Sequence, residues 1–391
     1  MFLLLSQGYS TYIEASTFTC CSIIYFPGAD WTATTPEEQG MDSAVLEDMM
    51  QFIEDSEAAI RGLVVTRNGY IVQERYWNYY DENTTHQIFS CTKSFTGTLI
   101  GIAIKEGFIG NVSQRVLDFF PEMTIEHMDN RKGNMTLEHV LTMTTGLDWD
   151  EWNISYNDPS NMYQQMFGSP NPIQFFLNLP MVYDPGTHWV YTTGASHLLS
   201  AIIQQTTGMS TRDFAAQYLF GPLNITTGGW NADVQGIHNG GTQLYVSARS
   251  MAKLGLLYLN NGTWDGQEIL TEDFVTRATS PLSFTHEDEG YGYQWWIDTA
   301  QNIPSARGSE GQYIFVIPED NIVVSIIARA DEPGEDVSEE ILEYVLNSVM
   351  DGTATETGTG DGLGVLPIVT VAVAVIGVVA IGVLYWRRSR F

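Results

Sequence analysis

The chain has 391 residues, 17 of them basic and 47 acidic, for a formal net charge of −30. Apolar residues make up 44% and aromatics 12%, enough to bury a large core and to exclude a disordered chain. A polyanion lacks the basic face that nucleic acid or an anionic membrane surface requires, so neither is expected as a partner.

Residues 1–30 form a leader of open role. Met1 to Leu5 and Phe18 to Phe26 are apolar, yet no Lys or Arg precedes Arg61. The positive n-region of an export signal is missing, which leaves either an atypical signal or a misplaced start. A folded domain is expected over 31–350. It opens with a helix capped by Asp42 or Ser43 and carrying Val45, Leu46, Met49, Met50, Phe52 and Ile53 on one side. Two strand-like runs follow, Leu63 to Arg67 and Tyr70 to Trp77, joined by Asn68-Gly69, a pair suited to a type I′ hairpin.

Ser-x-x-Lys occurs next, at Ser90-Cys91-Thr92-Lys93. A spacing of three on a helix puts both side chains on one face, so the amine reaches the hydroxyl. Ser90 opens an apolar helix after the extended stretch His86 to Phe89, where backbone N–H groups and the helix dipole favour a developing anion. Lys93, one turn inside and near Leu99 and Ile100, is placed to be desolvated, which lowers its pKa and makes it a base. Cys91 points about 100° away from Ser90 around the helix and reads as a small core residue. A second copy, Ser250-Met251-Ala252-Lys253, lies on an ordinary amphipathic helix. There Ser250 reads as an N-cap and Lys253 as solvated.

Strands return late, over Tyr291 to Ile297, Gln312 to Ile317 and Ile322 to Arg329, the last two across a Pro318–Asn321 turn. Val337 to Met350 reads as a closing amphipathic helix. Strands at both ends and helices between predict an α/β (α+β) domain. Its antiparallel β-sheet is flanked by helices, with an inserted helical lobe and a cleft between sheet and lobe.

Residues 351–362 are a Thr/Gly/acidic linker. Leu363 to Trp386 is a 24-residue run without a charge, long enough at about 1.5 Å per residue to cross a ~30 Å hydrocarbon core. Arg387, Arg388 and Arg390 in the tail 387–391 place that end in the cytoplasm and the domain outside. The expectation is a single-pass cell-membrane protein with an extracellular domain. N-x-[ST] sequons at Asn83, Asn111, Asn134, Asn153, Asn224 and Asn261 are compatible with export. Cys20, Cys21 and Cys91 give no disulfide framework or zinc pattern, and the histidines lack the spacings that place two ligands on one helix face. No metal and no organic cofactor are implied.

Ser90-x-x-Lys93 at a helix start resembles the first motif of the serine β-lactamase/penicillin-binding protein superfamily. The closest likeness is to its class C-like branch, which includes esterases and 6-aminohexanoate-dimer hydrolases. Supporting segments run from Trp31 to Met350, among them TTPEEQGMD, MTLEHVLTMTTGLDWDEW, DPGTHWVYTTGASHLLSAII, YGYQWW and GQYIFVIPEDNIVV. The resemblance implies a helix–antiparallel sheet–helix sandwich with a helical lobe. By context the family's Tyr-x-Asn motif is Tyr191-Thr192-Thr193. Tyr191 is implied as the proton shuttle, its phenol pKa lowered by the neighbouring cation, and Thr193, standing where the family has Asn, is implied as a substrate-binding residue. The third motif, Lys-Thr-Gly or His-Thr-Gly, aligns with Ala306-Arg307-Gly308. Ala306 cannot bind a substrate carboxylate as the family's cation does, and Arg307 points to the opposite strand face. Gly308 is implied to admit a substrate backbone, and the backbone N–H groups of Ser90 and Ser309 to form the oxyanion hole. Trp149, Trp152, Trp189, Trp295 and Trp296 line the cleft or fill the core.

These expectations give a membrane-anchored extracellular serine hydrolase that cleaves small esters or amides through an acyl-enzyme on Ser90, with water releasing the product. A D,D-peptidase or β-lactamase on the same fold is the alternative within enzymes. A non-catalytic surface ligand-binding protein of the same fold is the alternative outside them.

Overall fold

Asn68 and Gly69 take φ values of 53° and 85°, the left-handed pair that a two-residue hairpin needs. The chain therefore folds Ile60–Arg67 (β1) back into Tyr70–Tyr76 (β2), as expected. The structure, a computed structural model, describes residues 25–28, 30–329 and 335–350. The expected linker, membrane helix and basic tail, and most of the leader, lie outside the described residues. No helix among the described residues is long and apolar enough to cross a membrane.

The main sheet has six further strands: Ser283–Phe284 (β3), Gly290–Tyr291 (β4), Trp296–Asp298 (β5), Ile303–Gly308 (β6), Gln312–Ile317 (β7) and Ile322–Ala328 (β8). Its order is β2-β1-β8-β7-β6-β5-β4-β3, with every pairing antiparallel. β8 is buried on both faces, and its side chains alternate between two cores. Ile322, Val324 and Ile326 join a cluster with Leu46, Met49, Ile341 and Val345. Those residues come from the helices Ser43–Asp55 (α1) and Ser338–Asn347 (α5). Val323 and Ile327 join the larger cluster on the opposite face. There the helix Ala248–Leu259 (α4) lies on the sheet, and Ser325 satisfies its hydroxyl on the Ala248 carbonyl at 2.8 Å.

Between β2 and β3 the chain builds the helical lobe. Its two long helices, Cys91–Lys105 (α2) and Thr193–Thr207 (α3), pack on each other. A small sheet pairs His86–Gln87 with Tyr245 and Val246, and so fixes where the chain enters α2. The approach to α1 meets the end of α5. Met41 bridges Val349, Asp42 N–H donates to Ser348 O at 2.7 Å and Met350 N–H to Gly40 O at 3.0 Å.

Three local expectations need correction. Tyr291 to Ile297 is not one strand. It folds back at Gln294, whose φ is 65°, so that Tyr291 pairs with Trp296. Gln294 is buried and tied to the lobe: its carbonyl accepts from Ser94 Oγ at 2.7 Å and its Oε1 from Ser196 Oγ at 2.6 Å. Those tertiary bonds override the strand propensity of the run. Ser250 does not cap α4 either. Ser247 does, its hydroxyl accepting from Ser250 N–H. Lys253 is not solvated but buried, donating to Asn224 O at 2.7 Å.

Candidate active site

Ser90 stands where the extended stretch turns into α2. The residue before it, Phe89, holds a φ of 44°, an uncommon conformation for a side chain of that bulk. Ser90 itself is already helical, and its hydroxyl is not spent on capping, so the oxygen faces the neighbours of Lys93. Three residues on, Lys93 is buried with 2% of its surface exposed. Its Nζ lies 3.0 Å from Ser90 Oγ, 3.1 Å from Thr193 Oγ1 and 3.0 Å from the Gly241 carbonyl. Burial of the ammonium lowers its pKa to about 8, against the opposing pull of the Glu151 carboxylate.

Tyr191 precedes α3 and closes the other side. Lys93 Nζ is 4.7 Å from its ring centroid. The ring is stacked on Trp152 at 4.8 Å and on Trp296 at 5.9 Å. The expectation of a lowered phenol pKa is reversed: burial pushes the phenol well up, the Glu151 charge adds to this, and interaction with Ser90 opposes it only in part. Burial disfavours the charged phenolate, so desolvation sets the direction.

The five tryptophans divide. Trp295 is core, packed on Tyr258 at 4.6 Å. Trp149 is buried and donates from Nε1 to Glu151 at 2.8 Å. Trp189 and Trp296 form an aromatic wall beside Tyr191, and Trp152 covers it from outside with 54% of its surface exposed. Cys91 is core as expected, its Sγ 3.3 Å from Gln312 O and its thiol pKa pushed up by burial.

Two site residues escaped the sequence reading. Glu151 is buried, and its oxygens accept from Thr193 Oγ1, Thr193 N–H, Trp149 Nε1 and Tyr156 OH. In the run Asp148-Trp-Asp-Glu-Trp152 it looks like one more solvated loop acid. Gly241 presents its carbonyl to Lys93, and a Cβ there would sit 2.6 Å from Thr193 Cγ2. The only sequence signal was the doublet Gly240-Gly241.

The third-motif strand passes along the start of α2. Ala306 is buried in the larger core. Arg307, on the other face, is paired with Glu289 at 2.6 Å and with Ser305 Oγ at 2.9 Å, and lies over the Trp296 ring. Gly308 lies close to the protein's own backbone. A Cβ there would meet the Ile88 carbonyl at 2.5 Å and Cys91 N at 3.2 Å, so its bareness lets the protein's own strand approach the Ser90 turn. Ser309 follows directly, exposed at the tip between β6 and β7.

Residues 38–346 match the family described as Beta-lactamase. A 6-aminohexanoate-dimer hydrolase of Paenarthrobacter ureafaciens is 25% identical over 312 residues, covering 73% of this chain and 76% of that protein. Two solved structures share the fold. EstCE1, a hydrolase with promiscuous acyltransferase activity, superposes with a TM-score of 0.65 at 15% identity, over 81% of this chain and 99% of that one. The octameric penicillin-binding protein homologue from Pyrococcus abyssi gives 0.62 at 19% identity, over 78% and 76%. The chain belongs to the β-lactamase family and is an enzyme of that family's serine-hydrolase kind.

Proposed function

We propose that the enzyme cleaves small, uncharged esters or amides by acyl transfer through Ser90. The observation that carries this is the buried Lys93 amine 3.0 Å from the Ser90 hydroxyl, with a pKa of about 8. Neutral Lys93 takes the Ser90 proton as Oγ bonds to the substrate carbonyl carbon. The backbone N–H groups of Ser90 and Ser309 hold the oxyanion. The bond to the leaving group then breaks. Tyr191, remaining a phenol, hands its proton to the leaving atom and regains one from the lysine ammonium, so no phenolate accumulates. Water attacks the acyl-enzyme by the same route, giving the acid and restoring Ser90 and Lys93.

Substrate choice follows from charge. Ala306 offers no cation, Arg307 is committed to Glu289, and Glu151 adds a negative charge near the nucleophile. A carboxylate-bearing penicillin or peptide end gains nothing here. An ester, or a linear amide with no free carboxylate, suits the aromatic wall. The apolar run Leu363 to Trp386 and the arginines after it support a cell-surface anchor with the domain outside.

The test is intact-mass analysis of the chain after exposure to a fluorophosphonate, with peptide mapping of the adduct. Labelling at Ser90 that is lost in Lys93→Ala, with the far-ultraviolet circular dichroism of the wild type, is expected. A folded wild type that takes no label would sink the assignment.

A further inference from the structure

Glu151 is a buried carboxylate that the acyl-transfer steps do not use. Two donors reach its Oε2, Thr193 N–H and Trp149 Nε1–H, both at 2.8 Å. Two hydroxyls reach Oε1, Thr193 at 2.8 Å and Tyr156 at 2.7 Å. Four donors fill the lone pairs of a carboxylate.

The consequence falls on Thr193. A hydroxyl has one hydrogen, and this one is given to Glu151, so toward Lys93 the Thr193 oxygen only accepts. The Gly241 carbonyl likewise only accepts. A neutral amine has two N–H bonds and one lone pair. Both N–H bonds go to these two acceptors, which leaves the lone pair for the third neighbour, Ser90 Oγ. A Thr193 hydroxyl free to rotate would offer its hydrogen to that lone pair and compete with Ser90 for it.

We infer that Glu151, acting through Thr193, is a positioning residue that fixes the direction of the hydrogen bonds around Lys93 and aims its lone pair at Ser90. This rests on Ser90 being the nucleophile. The titratable groups facing Lys93 are Glu151 from the loop after Trp149, Tyr191 ahead of α3 and Cys91 on α2. Glu151 alone among them both raises the Lys93 pKa and binds its partner Thr193. Its removal therefore has two separable effects. The lost charge lets Lys93 deprotonate at lower pH, while the lost anchor slows the reaction of the neutral amine.

The full-length chain, its rate of fluorophosphonate labelling at Ser90 followed against pH by intact mass, distinguishes these. Glu151→Gln cannot accept four donors, because its NH2 meets donors itself. Its plateau rate should fall at least about tenfold, with the acid limb moved to lower pH. Thr193→Val should lose a similar factor, and Thr193→Ser, which keeps the hydroxyl, should recover most of it. The Glu151→Gln/Thr193→Val double variant should be no slower than the slower single one, since both break the same relay. Additive losses, or a Glu151→Gln plateau equal to wild type, overturn the inference. If Glu151→Gln does not fold, a Thr193→Val variant labelling at the wild-type plateau overturns it equally. A wild type that does not label overturns the acyl-transfer reading instead.

Discussion

Lys93 sits among three oxygen neighbours with almost none of its surface exposed, and that placement sets a pH window. The amine acts as a base only when neutral, which is above its pKa of about 8. The single-turnover acylation rate should therefore rise with pH through about 8 and then level off. A profile flat from pH 6 to 10 would mean that another group is the base. Trp152 makes a second prediction at this scale. It is exposed and stacked on Tyr191, so in the proposed reaction it is placed to meet substrate beside the proton shuttle while carrying no proton itself. An aromatic contact of about 1 kcal/mol corresponds to a severalfold change in affinity. Trp152→Ala should raise KM for an aromatic or long-chain ester by about that factor and leave kcat within about twofold. A matching loss of kcat would place Trp152 in the chemistry.

Among the elements, the proposed oxyanion hole requires β6 and the start of α2 to lie close enough for the N–H groups at Ser90 and Ser309 to meet one oxygen. Gly308 sets that distance, since a Cβ would press on Ile88 O at 2.5 Å. Gly308→Ala should cut Ser90 labelling by about 100-fold, the usual worth of an oxyanion donor, in a chain that still shows native circular dichroism. Labelling at the wild-type rate would show that the strand has room to spare. Elements of this kind were legible where their cause is local. Asn68-Gly69 marks its own turn, and Ser90-x-x-Lys93 needs only a helix to bring its ends together. The fold-back at Gln294 was not legible because its cause is the pair of hydroxyls on Ser94 and Ser196, on two different helices. Likewise Ser247 displaced Ser250 as a cap by one turn of α4, within reach of any boundary drawn from periodicity alone.

Across the whole molecule, the resemblance carried by the family segments implied the sandwich and the lobe, in agreement with the order of strands and helices read from the residues. Glu151 stayed hidden because its task depends on Thr193, 42 residues away, and no spacing rule encodes that. The charge of −30 has a global effect too. Self-repulsion opposes the compact state, and salt with a screening length of about 10 Å at 0.1 M relieves it. The unfolding temperature should rise between 10 mM and 1 M sodium chloride. A flat or falling value would show that the acidic groups are locally compensated.

The bonds joining Gly40 and Asp42 to Ser348 and Met350 act as a clasp between the approach to α1 and the end of α5. Residues 40–42 and 348–350 lie within hydrogen-bond reach, so the stretch from α1 to α5 returns almost to its starting point. Cut at an exposed turn and sewn across the clasp, the chain would retain its sheet order as a circular permutant.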